Sequence, residues 1–192
     1  MMTNREWSDG FALRLSEAEK RGATRAEIAQ AIVEAAAEWV GAMSAAYYER
    51  EADGRLCRYA VAGLFPPQTI VAGAMLEEFS TRARRLEFVL RGPEHLSGDS
   101  LVAQVAESGR AELIAEATED ARIVAHTDSA LTVRSIIFVP VLLRGTVRGV
   151  LVVANSVSGG AFTSEDFARF ESLAILAATA LPAPALADAK DR

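Results

Sequence analysis

The stretch Ser135–Asn155, SIIFVPVLLRGTVRGVLVVAN, decides the fold. Ile136–Leu143 is almost continuously apolar, so both of its faces are expected to be covered. A short apolar run also suits a buried helix. The β-branched residues, the short length and the central glycine favour strand instead. Arg144-Gly145-Thr146 reads as a tight turn, with Gly145 free to take a positive φ. Val147–Ala154 is again rich in Val and Leu, so the stretch reads as a hairpin of two buried strands. Pro140 is discordant, because proline donates no ladder hydrogen bond and normally sits at an edge or bulge. A local irregularity is expected there.

Downstream, Phe162-Thr163-Ser164-Glu165-Asp166-Phe167 opens the clearest helix. Thr163 is placed as N-cap, Asp166 at the third helical position, and Phe162 and Phe167 as a hydrophobic staple. Phe170, Leu173, Ala174, Ala177 and Leu181 continue the apolar face, and Pro182 and Pro184 end it.

Upstream, Thr118–Val133 turns from polar to apolar and reads as a helix or loop lying over the sheet. Ala111–Ala115 is a short strand, and Ser100–Ser108 a short helix ended by Gly109. Leu86–Arg91 reads as a third strand, stopped by Gly92-Pro93, after a helix or irregular excursion over Gln68–Arg85. Met43–Glu51 and Arg55–Ala62 flank Ala52-Asp53-Gly54, a strong hairpin signal. Thr24 and Glu27 form a capping box for a helix whose face carries Ile28, Ile32, Ala36, Trp39 and Val40. From Trp7 to about Arg21 the chain looks helical, with Phe11, Leu13 and Leu15 as apolar points.

This order predicts an α+β fold: a six-stranded, mainly antiparallel sheet with the terminal helices on one face and mid-chain helices and loops on the other. Residues 1–23 are expected to form an N-terminal helical extension, 24–181 the domain, and 182–192 a flexible tail.

Twenty basic against 26 acidic residues give a net charge of −6, which argues against nucleic acid or an anionic membrane as partner. One cysteine excludes an internal disulfide and fits a reducing compartment. No signal-peptide pattern opens the chain, and no run approaches the roughly 18 apolar residues that span a bilayer. A cytoplasmic protein is expected.

Three phrases resemble the GAF domain, a ligand-sensing module of signalling proteins. They are Leu96–Gly109, the hairpin with Pro140, Gly145 and Gly149, and the Phe162–Asp166 helix opening. The resemblance runs from about Thr24 to Leu181 and implies a pocket between the sheet and the mid-chain segments. It also implies dimerisation through the terminal helices, for which the faces around Trp39 and Leu173 are the expected seam.

Asn155, Phe162 and Asp166 partly match the motif of cyclic-nucleotide-binding relatives, but Ser156 and Phe167 replace its lysine and glutamate. All three residues also have structural explanations as turn former, staple and cap. Arg134 is expected on the pocket side, as a carboxylate or phosphate clamp or in a rim ion pair with Glu119 or Asp120. Asp120 and His126 lie in the segment that closes over ligands in related domains. With Phe88, Leu90 and Val102 they complete the candidate ligand-binding set. No metal ligand is assigned to either histidine, and no cofactor is identified.

The reading favours a non-catalytic sensory domain with a small-molecule ligand, a homodimer and a downstream signalling partner. The alternative is a dimerisation module with a vestigial pocket. An enzyme of the GAF-fold reductase kind would need a cysteine pair for thiol–disulfide chemistry, and the chain has one cysteine.

Overall fold

The computed structural model describes residues 4–69, 80–91, 94–96, 98–126 and 128–181. Helices α1 (Asn4–Lys20) and α2 (Arg25–Val40) lead into strands β1 (Ala42–Arg50) and β2 (Leu56–Gly63). Helix α3 (Arg82–Arg91), strand β3 (His95–Leu96), helix α4 (Leu101–Ser108) and strand β4 (Glu112–Ile114) follow. A single 3₁₀ turn, Ser129–Leu131, precedes β5 (Ile136–Leu143), β6 (Thr146–Ser156) and helix α5 (Ser164–Ala180). The six strands form one sheet in the order β3-β2-β1-β6-β5-β4. Every pairing in it is antiparallel.

The hairpin closes through Arg144 at φ 52° and Gly145 at φ 80°. Two successive positive φ values give the right-twisted two-residue turn that hairpins prefer. Pro140 fits for a geometric reason. Asn155 N–H donates to the Ser135 carbonyl, so odd-numbered residues of β5 turn their polar groups to β6 and even-numbered ones away. Pro140 therefore presents its nitrogen to the β4 side, beyond Phe138, the last residue that β4 pairs with. The ladder loses nothing. The register shift comes one residue later, between Val141 and Leu142.

Two cores pack against the sheet. On one face α1, α2 and α5 bury Phe11, Ile32, Phe170 and Leu173 against Tyr47, Ile137, Leu151 and Val153. On the other, α4 and the mid-chain segment bury Val102, Val105 and Val133 against Tyr48, Phe138, Val150 and Val152. Both predicted capping boxes are present, at Thr24–Glu27 and Thr163–Asp166.

Three expectations are corrected. Leu86–Arg91 is the second half of α3, not a strand, and the third strand is His95–Leu96. Leu86, Val89 and Leu90 sit three and four residues apart, which is a helical face, and pack with Leu131. In α1 the buried residues are Trp7, Phe11 and Leu15, four apart, while Leu13 is exposed. The faces around Trp39 and Leu173 are not free. Trp7 stacks on Trp39 with ring centroids 4.0 Å apart, and Leu173 is fully buried in the first core. The 182–192 tail and most of the Gln68–Arg85 excursion lie outside the described residues.

Gly149 has no room for a side chain: a Cβ there would lie 2.2 Å from the Tyr48 carbonyl oxygen and 2.7 Å from the Tyr47 ring. Gly149→Ala is expected to lower unfolding free energy by about 3 kcal/mol, because backbone must move in a strand covered on both faces. Urea denaturation of the two proteins measures it.

Candidate functional site

Between β4 and β5 the chain runs over the sheet with little regular structure, and a cavity of about 340 Å³ forms within this segment. Ala117, Ile123, Val124 and Val133 give it apolar wall, while Thr118, Glu119, Asp120, His126 and Thr132 bring polar groups. Ala117, Val133 and Ile123 also touch the second core, so the cavity floor is continuous with the sheet's cover.

Side-chain hydrogen bonds hold the segment down where ladder bonds are lacking. Asn155, at φ 58°, is nearly buried at the end of β6. Its Oδ1 accepts from Arg134 N–H at 2.7 Å, and its Nδ2 donates to the Thr132 carbonyl at 2.8 Å. Ala117 N–H donates to the Arg134 carbonyl, closing the two ends of the segment on each other. Midway, His126 Nε2–H donates to the Pro67 carbonyl at 2.9 Å. Arg82 grips Asp128 with two hydrogen bonds of 2.9 and 2.7 Å. That grip and the Ala130 N–H bring the Asp128 carboxyl from its usual 3.8 to about 2.

The structure separates the six residues singled out from sequence. Asp120 and His126 line the cavity. Asp120 is committed to Arg122, whose guanidinium holds its carboxyl below the usual range and also reaches Glu112 at 2.6 Å. Val102 is fully buried in α4, beneath the segment. Phe88 and Leu90 belong to a satellite cluster with Val89 and Leu131. Arg134 differs most from expectation. Its side chain is exposed, with Nη2 3.9 Å from the Met43 sulfur, and the cavity takes Thr132 and Val133 from this stretch instead. The main chain of Arg134, not its guanidinium, is what the fold uses.

A buried charged cluster escaped the sequence reading. Glu94 and Arg58 expose only 5% and 4% of their side chains and pair at 3.2 Å. Glu94 Oε2 also accepts from the Tyr48 hydroxyl at 2.7 Å. Its Oε1 accepts from Gln68 N–H at 2.6 Å and from Thr69 N–H and hydroxyl, each at 3.1 Å. Arg58 Nη2 donates to the Val89 carbonyl of α3. Burial, and then the Glu94 charge, push the Tyr48 hydroxyl far above its usual range, so it remains a donor. The carboxylate thus clasps the chain after β2 onto the sheet. Nothing in the run Pro93-Glu94-His95 signals this, because an acidic residue after Gly-Pro reads as a solvated loop.

An antiparallel sheet backed by both terminal helices and roofed by an irregular segment over a cavity defines a single-sheet α+β chamber domain. The family model for the GAF domain matches residues 22–181, and the chain belongs to that family. It is similar to the crystal structure of the GAF domain from Acinetobacter phosphoenolpyruvate-protein phosphotransferase. The identity is 18%, the coverage 94% of each chain and the TM-score 0.65. It is also similar to free methionine-R-sulfoxide reductase from Neisseria meningitidis in complex with its substrate. There the identity is 14%, with 93% of this chain and 87% of that chain covered and a TM-score of 0.65. Residues 122 to 287 of a methyl-accepting chemotaxis protein match at 14% identity and TM-score 0.62, over 88% of this chain and 93% of that one. At these identities the likeness shows the fold, which serves signalling proteins and an enzyme alike.

Asn155→Ala removes both side-chain anchors and puts alanine at a positive φ. It is expected to cost about 2–3 kcal/mol in unfolding free energy. Amide exchange in residues 117–133 should rise more than in β1, which separates loosening of the roof from global destabilisation.

Proposed function

We propose that this GAF domain is a non-catalytic sensory or regulatory domain that binds a small molecule in the cavity under residues 117–133. The cavity carries the reading. Its volume falls in the range of small-ligand sites, and its wall mixes apolar residues with polar groups that would orient a ligand. The roof that would close on a ligand is tied through Asn155 and Ser135 to the ends of β6 and β5. Ser135 also accepts from Phe162 N–H at 2.9 Å, just ahead of α5. A ligand that favours one arrangement of the roof would therefore bias the terminal helices, by no more than its differential affinity for the two arrangements. A downstream signalling protein would read that bias in the cytoplasm.

Several features weigh against other readings. Thiol–disulfide reduction needs a second thiol, and this chain has one cysteine. The partial cyclic-nucleotide motif is committed to structure: Asn155 anchors the roof, Phe162 is buried and Asp166 closes a capping box. Among the described residues, no helix is long and apolar enough to cross a membrane.

Native and denaturing mass spectra of the purified protein test the proposal. The expected result is an added small-molecule mass that disappears on denaturation and is absent from Ala121→Trp, which fills the cavity from an exposed position. A bare mass, together with a melting temperature that no small metabolite moves, contradicts it.

A second reading, dimerisation as the function itself, draws on the opposite face. Ile175 of α5 is 70% exposed beside a shallow groove of about 240 Å³ whose lining includes Val139, Pro140, Leu142 and Ala174. A second copy of the chain would cover this apolar strip. Sedimentation should then give a dimer that Ile175→Lys converts to monomer without loss of stability. A monomeric unmodified protein at high concentration contradicts it.

A further inference from the structure

Away from the cavity, the sheet topology gathers a thiol, an imidazole and a carboxylate that lie far apart in sequence. Cys57 of β2 stands directly opposite His95 of β3 in the antiparallel register. Glu51 follows the last residue of β1, and its Oε2 is 3.8 Å from His95 Nδ1. One donor atom from each of the three lies within 4.8 Å of the other two. A tetrahedral site with metal–donor bonds of about 2.0–2.3 Å separates its donors by about 3.5 Å. The three donors therefore stand about 1 Å beyond ligand spacing at most, a gap within the reach of side-chain rotation.

We propose that Glu51, Cys57 and His95 form a divalent-cation site for Zn²⁺, with three protein ligands and a fourth position open to water. The donor set selects the metal. A thiolate and an imidazole suit Zn²⁺, whereas Mg²⁺ and Ca²⁺ require oxygen ligands that this site lacks. Strand pairing already places two of the three ligands, which reduces the ordering cost of binding. The nearby cation does not block Glu51. Arg55 is 3.7 Å from Glu51 but makes its shorter contact, 2.7 Å, with Asp53. On binding, the Cys57 thiol passes its proton to solvent and the thiolate bonds the metal.

The site has a structural consequence. Strand β3 is two residues long and lies at the sheet edge. A metal bridging β3, β2 and the end of β1 would hold that edge and, through the neighbouring Glu94, the clasp on Gln68 and Thr69.

The test uses the full chain, reduced and stripped with a chelator, titrated with Co²⁺ and then Zn²⁺. The expected result is a thiolate-to-cobalt charge-transfer band with four-coordinate visible bands, saturating at one equivalent and erased by Zn²⁺. Cys57→Ser should remove the charge-transfer band. His95→Ala and Glu51→Gln should each weaken Zn²⁺ binding by at least about tenfold. Zn²⁺ should raise the melting temperature of the unmodified protein and not that of Cys57→Ser. All three side chains reach solvent or its margin, so each variant is expected to fold, which circular dichroism checks. Absence of the band overturns the proposal. So does unchanged Zn²⁺ affinity in both His95→Ala and Glu51→Gln, which would mean adventitious capture by the thiol alone.

Discussion

Burial of β1, β6 and β5 on both faces governs the rest of the structure. Along β6, Val150 to Ala154 are completely inaccessible, and β5 is nearly so from Ile136 to Val141. Such strands need cover on two sides, and the chain supplies it asymmetrically. Helices from the two ends, α1, α2 and α5, lie on one face with regular hydrogen bonding of their own. The other face is covered by mid-chain residues with only α3, α4 and a 3₁₀ turn as regular elements among those described. Backbone groups there must find partners elsewhere, because an unpaired buried N–H or C=O costs about as much as a lost hydrogen bond.

Buried side chains meet that need. Asn155 holds the β5 end of the roof through Thr132 and Arg134, Ser135 accepts from Phe162 N–H, and Glu94 takes two backbone N–H groups after β2. Glu94 and Arg58 could not be buried singly. A desolvated ion pair roughly offsets its own desolvation, whereas removing one partner leaves a buried charge at a cost of about 3–5 kcal/mol. The result is a frame of paired strands under an irregular roof pinned at a few points. In the function proposed above, a molecule bound inside such a roof would change its arrangement without disturbing the sheet.

What the sequence revealed follows the same division. The hairpin, the capping boxes and α5 are written in local periods and short-range chemistry, and they stand where the pattern placed them. Pro140 looked like a defect until the register showed its nitrogen facing the side that β4 leaves open. Leu86–Arg91 misled because Leu86, Phe88 and Leu90 alternate as in a strand, while Leu86, Val89 and Leu90 also form a helical face. Trp39 and Leu173 looked free because an apolar helix face does not say whether its own chain or a second copy will cover it. The roof was legible only as an irregular segment. Asp120 and His126 fell on the cavity, but the outward turn of Arg134 depends on which of its atoms the sheet end uses. The clusters around Glu94 and around Cys57 come from strand pairing, so no local pattern announces them.

This packing implies a rigid two-faced sheet under a roof that opens separately. Native-state hydrogen exchange resolved by residue tests it most directly. Amides of β1, β5 and β6 are expected to exchange only through global unfolding. Amides of residues 117–133 should exchange through openings several kcal/mol less costly. Protection across 117–133 equal to that of β6 would contradict it, because the roof would then be part of the frame and could not respond to a ligand on its own.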